Sequence, residues 1–248
     1  DVYKRQLKDY TMFAGKIPLP PRYAFGYWWS RYWSYSDNEL RELLRKFRMY
    51  DIPLDVLVID MDWHYTEPGK GGWSGWTWNK RLFPNPGRLL ADLKKEGVKL
   101  TLNLHPADGF AFYEEPYRAI ATDIGMNPEG KDTIPWITSD KKLMEAVFRN
   151  VLHPMEKEGV DFWWLDWQQN YLYPEVRGYR STSLQWINEL YYRETERKGL
   201  RGAGYSRWAG WGDHRHPIQF SGDAQANWEM LAFEVKLTAA SGNAGCYY

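Results

Sequence analysis

Amphipathic helices that run into apolar strands, again and again, predict an α/β fold: a (β/α)8 TIM barrel, truncated after about six to seven βα units. Two further observations select the barrel. Strands without two-sided polar alternation mean a parallel sheet covered by helices. The Gly-rich phosphate turn expected of a doubly wound sheet is missing. Polar residues also gather where the strands should end: Arg31, Asp60, Asp62, His105, Asp166, Arg207 and Asp223. In a β/α barrel the C-terminal ends of the strands form the functional face.

The elements follow in order. "RYAFGYWWSR" (22–31) is the first strand. "SDNELRELLRKFRMYDIP" opens with a capping box, Ser36 and Glu39, and carries Leu40, Leu43, Leu44 and Phe47 on one face, so it is a helix. "LDVLVIDMDW" (54–63) is the buried strand after it. The Gly- and Trp-rich stretch 64–85 is a long loop at the functional face. "GRLLADLKKEGV" leads into "KLTLNLHP", and "SDKKLMEAVFRNVLHPMEKEGV" leads into "DFWWLDW". Both helices close on Glu-Gly-Val, with Gly97 and Gly159 at the position after the cap. "SLQWINELYYRETERKG" leads into "LRGAGYSR". "HPIQFSGD" (216–223) is a sixth strand, "NWEMLAFEVKLTAASGNAG" a helix, and "CYY" the start of a seventh strand.

Composition narrows the function classes. Lys plus Arg and Asp plus Glu each number 32, so no basic field exists to draw nucleic acid or anionic lipid. No apolar run approaches a membrane span. The single cysteine excludes an internal disulfide and leaves localisation open. Aromatic residues make up 17%, with 15 Trp, and many stand beside Gly, Asp or Arg rather than in helical stripes, as pocket walls do. The five histidines form no metal-ligand spacing, so neither a metal nor a cofactor is expected. Trp73, Trp76 and Trp78 fit a sugar platform or loop packing equally well. Asp62 reads as the partner of a neighbouring base.

"DFWWLDWQQN" sets Asp166 among Phe162, Trp163, Trp164 and Trp167. Desolvation disfavours an ionised carboxylate in such a setting. Asp166 and Asp223 end the fourth and sixth predicted strands and so point to one barrel mouth. A lone strand-end Asp is commonly half of an ion pair with Arg. Several charged strand ends with a Trp-rich rim favour a site instead. Two carboxylates in an aromatic cleft suit glycoside hydrolysis, one acting at the anomeric carbon and the other protonating the leaving oxygen. Trp164 and Trp167 then line the sugar pocket, and His105 stands at the same face as a substrate contact.

From about residue 17 onward the chain resembles glycoside hydrolase family 31, the retaining α-glucosidase and α-xylosidase group. "FWWLDWQQ" is similar to that family's nucleophile segment, which implies that Asp166 is the nucleophile. "QFSGD" is similar to its acid/base segment, which implies that Asp223 is the proton donor, with a raised pKa. "YSRWAG" sets Arg207 where the family has a substrate-binding Arg, here also keeping Asp166 ionised. "VLVIDMDW" is similar to its Asp-x-Asp segment, whose first Asp, here Asp60, holds sugar hydroxyls. The segments also depart from the family pattern. Trp167-Gln168-Gln169 follow Asp166, Phe220-Ser221 precede Gly222, Ala224 follows Asp223, and "NLHPADG" carries His105. The resemblance therefore implies an α-glucosidase-like hydrolase, with α-galactosides or N-acetylated α-sugars as alternatives. A non-catalytic carbohydrate-binding barrel is the alternative of another class.

The expected organisation is residues 1–6 as translated sequencing adapter ("DVYKRQ"), 7–21 as a linker into the barrel, and 22–248 as an incomplete catalytic barrel. Residues 1–6 are then expected to bury little apolar area. The expected partner is an oligosaccharide or glycoside, with the flanking β-domains of the family missing from this chain. The 248 residues alone are expected to be insoluble or inactive, because an open barrel exposes sheet edges.

Overall fold

The computed structural model describes residues 2–67, 72–166, 181–197, 199–207, 209–216 and 218–247. The helices are α1 (Val2–Ala14), α2 (Asp37–Met49), α3 (Pro86–Lys95), α4 (Tyr117–Ile124), α5 (Lys141–Val147), α6 (His153–Glu158), α7 (Ser183–Glu196) and α8 (Trp228–Ala244). The strands are β1 (Trp28–Trp29), β2 (Val56–Ile59), β3 (Lys99–Leu104), β4 (Phe162–Leu165) and β5 (Tyr205–Ser206). The chain divides into two units, Arg22–Ser183, and Asp1–Pro21 together with Leu184–Tyr248.

In the unit Arg22–Ser183, β1 to β4 lie side by side in chain order and all parallel. Each crossover carries a helix, as a parallel sheet requires. Side chains alternate between the two faces. Trp29 meets Phe47 of α2 edge-on at 5.5 Å, and the Trp163 indole donates to Glu156 of α6 at 3.0 Å. These residues mark the helix-covered face. Trp28 and Phe162 meet on the opposite face, with centroids 5.4 Å apart. Trp164 and Asp166 follow Phe162 at a period of two, so they share that second face. The register pairs Thr101 with Phe162 and Asn103 with Trp164.

The helices form where the apolar spacing says. The capping box of α2 is made: Ser36 Oγ accepts from the Glu39 amide, and the Glu39 carboxylate accepts from the Ser36 amide. Leu40, Leu44 and Phe47 are buried beneath it, and Leu89, Leu90 and Leu93 beneath α3. Truncating one such buried leucine to Ala typically costs about 2–5 kcal/mol. Gly159, with φ 142°, sits against Leu90, where a Cβ would come within 3.0 Å. The long helix expected before β4 is α5, one π-helical turn (Phe148–Leu152) and α6 in succession.

Several elements differ from expectation. The first strand shrinks to Trp28–Trp29 after a 3-10 turn, Arg22–Phe25. The turn forms because Gly26 packs directly on Asp55, whose carboxylate accepts from the Tyr27 amide at 2.9 Å. Helix α4 lies where no element was expected, between Pro116 at its N-cap and Gly125, a left-handed C-cap with φ 85°.

The second unit holds α1, α7, β5 and α8. Helix α1 occupies residues read as adapter and linker. It buries none of its residues, and Val2 and Tyr3 are 67% and 83% exposed. Both the helix and the segment after it are tied in: Tyr10 of α1 packs on His214 with centroids 5.0 Å apart, and Arg201 Nη1 donates to the Pro20 carbonyl at 3.2 Å. The fifth expected strand reduces to Tyr205–Ser206, since the preceding Gly202 and Gly204 offer no side chain to pack. Gly202 packs against the Tyr192 ring of α7. The sixth and seventh expected strands appear as single parallel bridges, Ser206 to Gln219 and Ile218 to Tyr247. Among the described residues no helix is long and apolar enough to cross a membrane.

Candidate active site

Three strands of the first unit, β2, β3 and β4, are each followed directly by a polar residue. Asp60, directly after β2, caps the 3-10 turn Met61–Trp63 and accepts from the Met61 amide at 2.7 Å. His105 directly follows β3, and Asp166 directly follows β4. The Asp166 amide donates to the Leu104 carbonyl at 3.2 Å, so the ladder holds the nucleophile candidate to the end of its pairing. His105 Nε2 stands 3.0 Å from Asp166 Oδ2, with both side chains at most 7% exposed.

Electrostatics link these three residues. Burial pushes the Asp60 carboxyl above its ordinary pKa. The Met61 amide and His105 oppose that, while Asp166 and Asp62 add to it. Asp60, His105 and Asp166 therefore share one field. Trp164, two residues before Asp166, is 8% exposed. Among the described residues Asp62 meets no base, contrary to expectation. Its carboxylate accepts from two hydroxyls, Ser34 at 2.7 Å and Thr66 at 3.0 Å.

The Trp-rich loop resolves into two roles. Trp76 and Trp78 are buried and serve packing. Trp76 stacks on Phe110 at 4.4 Å and donates its indole hydrogen to the Gly109 carbonyl at 2.9 Å. Trp78 sits edge-on to Trp63 at 5.2 Å. Trp73 differs from both: it is 49% exposed and stands edge-on to His105 at 5.2 Å. Sequence reasoning missed two residues that fasten this loop. Ser74 Oγ donates to the His105 carbonyl and accepts from the Asp108 amide. Glu114 is buried, and its carboxylate accepts from the Trp76 amide and the Thr77 hydroxyl. Small polar residues inside a loop give no periodic signal from which to find them.

In the second unit, Arg207 follows β5 directly, and its Nη2 lies 2.9 Å from Asp223 Oδ2. The guanidinium also stacks over Phe220 at 4.7 Å. Gly222 has φ 102°, a backbone conformation that favours glycine, and a Cβ there would come within 2.6 Å of Arg207 Nη1 and displace the guanidinium. The Asp223 side chain is 85% exposed. Arg207 was expected to hold Asp166 in its charged state. Arg207 pairs with Asp223, and His105 stands beside Asp166. Trp167 lies outside the described residues.

The TIM-barrel domain model of glycosyl hydrolases family 31 matches residues 17–248. The chain belongs to glycosyl hydrolase family 31. Its relatives include an α-xylosidase of Saccharolobus solfataricus, 30% identical over 164 residues, 64% of this chain and 20% of that protein. α-Glucosidase 2 of Bacillus thermoamyloliquefaciens is 36% identical over 119 residues, 46% of this chain and 14% of that one. The chain thus spans a fifth or less of these two relatives. Among solved structures, a family 31 α-xylosidase from a soil metagenome, complexed with xylose, superposes with a TM-score of 0.71 at 20% identity, over 96% of this chain and 38% of that chain. The Flavobacterium johnsoniae family 31 dextranase gives 0.75 at 18% identity, over 97% and 33%. These two likenesses show the fold. Within a family 31 barrel, Asp60, His105 and Asp166 lie at strand C-terminal ends, where barrel enzymes carry their chemistry.

Proposed function

We propose that this domain is the catalytic barrel, six to seven βα units of a (β/α)8 fold, of a retaining α-glycoside hydrolase. Its substrates are terminal α-linked sugars, with α-glucosides first. The observation that carries this reading is Asp166: a buried carboxylate directly after β4, in hydrogen-bond contact with an imidazole, beside Trp164 and near Asp60. Membership of family 31 supports it.

The chemistry is a double displacement. Asp166 attacks the anomeric carbon as the bond to the leaving oxygen breaks, and Asp223 gives that oxygen its proton. The product is a glycosyl-aspartate ester of inverted configuration. Asp223 then takes a proton from water, the water oxygen attacks the same carbon, and the ester bond to Asp166 breaks. The second inversion restores the α-configuration. Asp223 is exposed in the free domain, open to a leaving group and to water. Arg207 and Asp60 bind sugar hydroxyls, and Trp164, Trp167 and His105 shape the pocket.

The residues Trp167-Gln168-Gln169 after Asp166 favour a second reading at the level of the sugar: an α-galactoside or an N-acetylated α-sugar. A panel of p-nitrophenyl α-glycosides (gluco, xylo, galacto, N-acetylgalactosamino) separates these. It is run on the protein carrying this domain with whatever flanks it in its gene. Release from one α-glycoside, lost in Asp166→Ala, supports the reading. Sugar binding without turnover of any of them would instead support a carbohydrate-binding barrel.

A further inference from the structure

We infer that His105 is a positioning residue for the nucleophile: its Nε2–H holds Asp166 Oδ2 and so aims the other carboxylate oxygen at the anomeric carbon. This rests on the reading of Asp166 as the nucleophile. The contact is 3.0 Å between two side chains that are 3% and 7% exposed, so water competes little for either end.

Four features of the surroundings make this a built contact. His105 and Asp166 directly follow β3 and β4, which are paired in register up to Leu104 and Leu165, so a ladder fixes the backbone separation. The backbone of His105 is pinned in turn, because its carbonyl accepts from the buried Ser74 hydroxyl. The Trp73 ring stands edge-on to the imidazole and limits its rotation. Finally, His105 Nδ1 is enclosed and has no hydrogen-bond partner among the described residues. A hydrogen on Nδ1 would be buried without an acceptor, whereas a hydrogen on Nε2 meets a carboxylate. The tautomer that donates to Asp166 is therefore the favoured one.

A carboxylate carried on two freely turning bonds presents its attacking oxygen over a wide arc. One fixed oxygen narrows that arc, which is the orientation effect of a preorganised site. His105 touches the nucleophile rather than the sugar in this role, so it should affect the rate of glycosylation more than affinity.

The test measures formation of the covalent adduct directly. The probe is the 5-fluoro-α-glycosyl fluoride of whichever sugar the panel selects, and the readout is intact-mass spectrometry with peptide mapping. Wild type should acquire one adduct, on Asp166. His105→Gln carries an amide N–H at the reach of Nε2, and His105→Asn carries one only at the reach of Nδ1. The two are matched in polarity and differ in reach. His105→Asn should slow the limiting labelling rate about 100-fold, the scale of a misaligned reacting group, with the half-saturating probe concentration changed less than threefold. His105→Gln should recover to within about tenfold of wild type. Equal labelling rates in wild type and His105→Asn overturn the inference while leaving the nucleophile in place. Equal slowing in both variants also overturns it, since reach would then be irrelevant. A wild-type adduct elsewhere than on Asp166 overturns both the inference and the reading beneath it.

Discussion

Replacing Glu189 with Gln should loosen the second unit in a pH-dependent way. Glu189 on α7 accepts from His216 Nε2 at 2.7 Å and pairs with Arg193. Those contacts, His216 first, lower its pKa from 4.5 to about 2. At ~1.4 kcal/mol for each tenfold change in acidity, that difference amounts to roughly 3 kcal/mol. With 21% of the side chain still in water, screening reduces it to about 1.5–2 kcal/mol. A depressed carboxylate contributes its stability above the unfolded value of 4.5, and that contribution is lost as pH falls toward 2. His216 has the opposite sense. Burial works against its charge, but the Asp213 and Glu189 carboxylates more than offset this, and its pKa is raised. Its contribution is present below 6.5 and is lost as pH rises through the raised value. The pair is thus strongest between about pH 4.5 and 6.5. Hydrogen exchange of the α7 amides, followed by mass spectrometry, reads the opening free energy. At pH 6, Glu189→Gln should speed exchange about 10- to 30-fold, and the ratio to wild type should shrink as pH is lowered from 5 to 3. An unchanged rate at pH 6, or a ratio that does not depend on pH, would refute the reasoning.

Two further substitutions probe the site. Asp60→Asn should leave the unfolding midpoint unchanged or raise it, because burial and Asp166 already disfavour the Asp60 charge, while kcat/KM falls at least about 10-fold through loss of a charged hydrogen-bond acceptor; a clear loss of stability would count against it. Gly222→Ala should cost about 1–2 kcal/mol for its positive φ and displace the Arg207 guanidinium from Asp223. The unfolding midpoint and kcat/KM should therefore both fall, and unchanged kinetics would sever Arg207 and Asp223 from catalysis.

What the sequence made legible follows from how locally each feature is encoded. The α2 capping box, the apolar stripes of α2 and α3, and the apolar runs of β2, β3 and β4 each lie within one short window, and each element forms there. Asp60, His105 and Asp166 were legible as strand ends because an apolar run stops at each of them. Contacts that depend on distant chain were not. The His105–Asp166 contact joins residues 61 apart in sequence, and no periodicity encodes it. The same holds for Asp55 beneath Gly26, which shortens β1, and for Ser74 beneath the His105 carbonyl. Helix α4 was missed although Pro116 and Gly125 bracket it, since it is only two turns long. Trp76 and Trp78 could not be told from Trp73, because packing on Phe110 or Trp63 is invisible until the loop folds.

The configuration of the first-formed product tests the central claim most directly. Proton NMR of wild-type hydrolysis of the preferred α-glycoside, recorded before mutarotation, reads the anomer as it is released, and the same substrate with Asp166→Ala and added azide reads the identity of the nucleophile. Double displacement through Asp166 predicts the α-anomer first from wild type, at most trace activity from Asp166→Ala, and β-glycosyl azide when azide takes the place of the lost carboxylate. A β-anomer released first by wild type, or undiminished hydrolysis by Asp166→Ala, would contradict it.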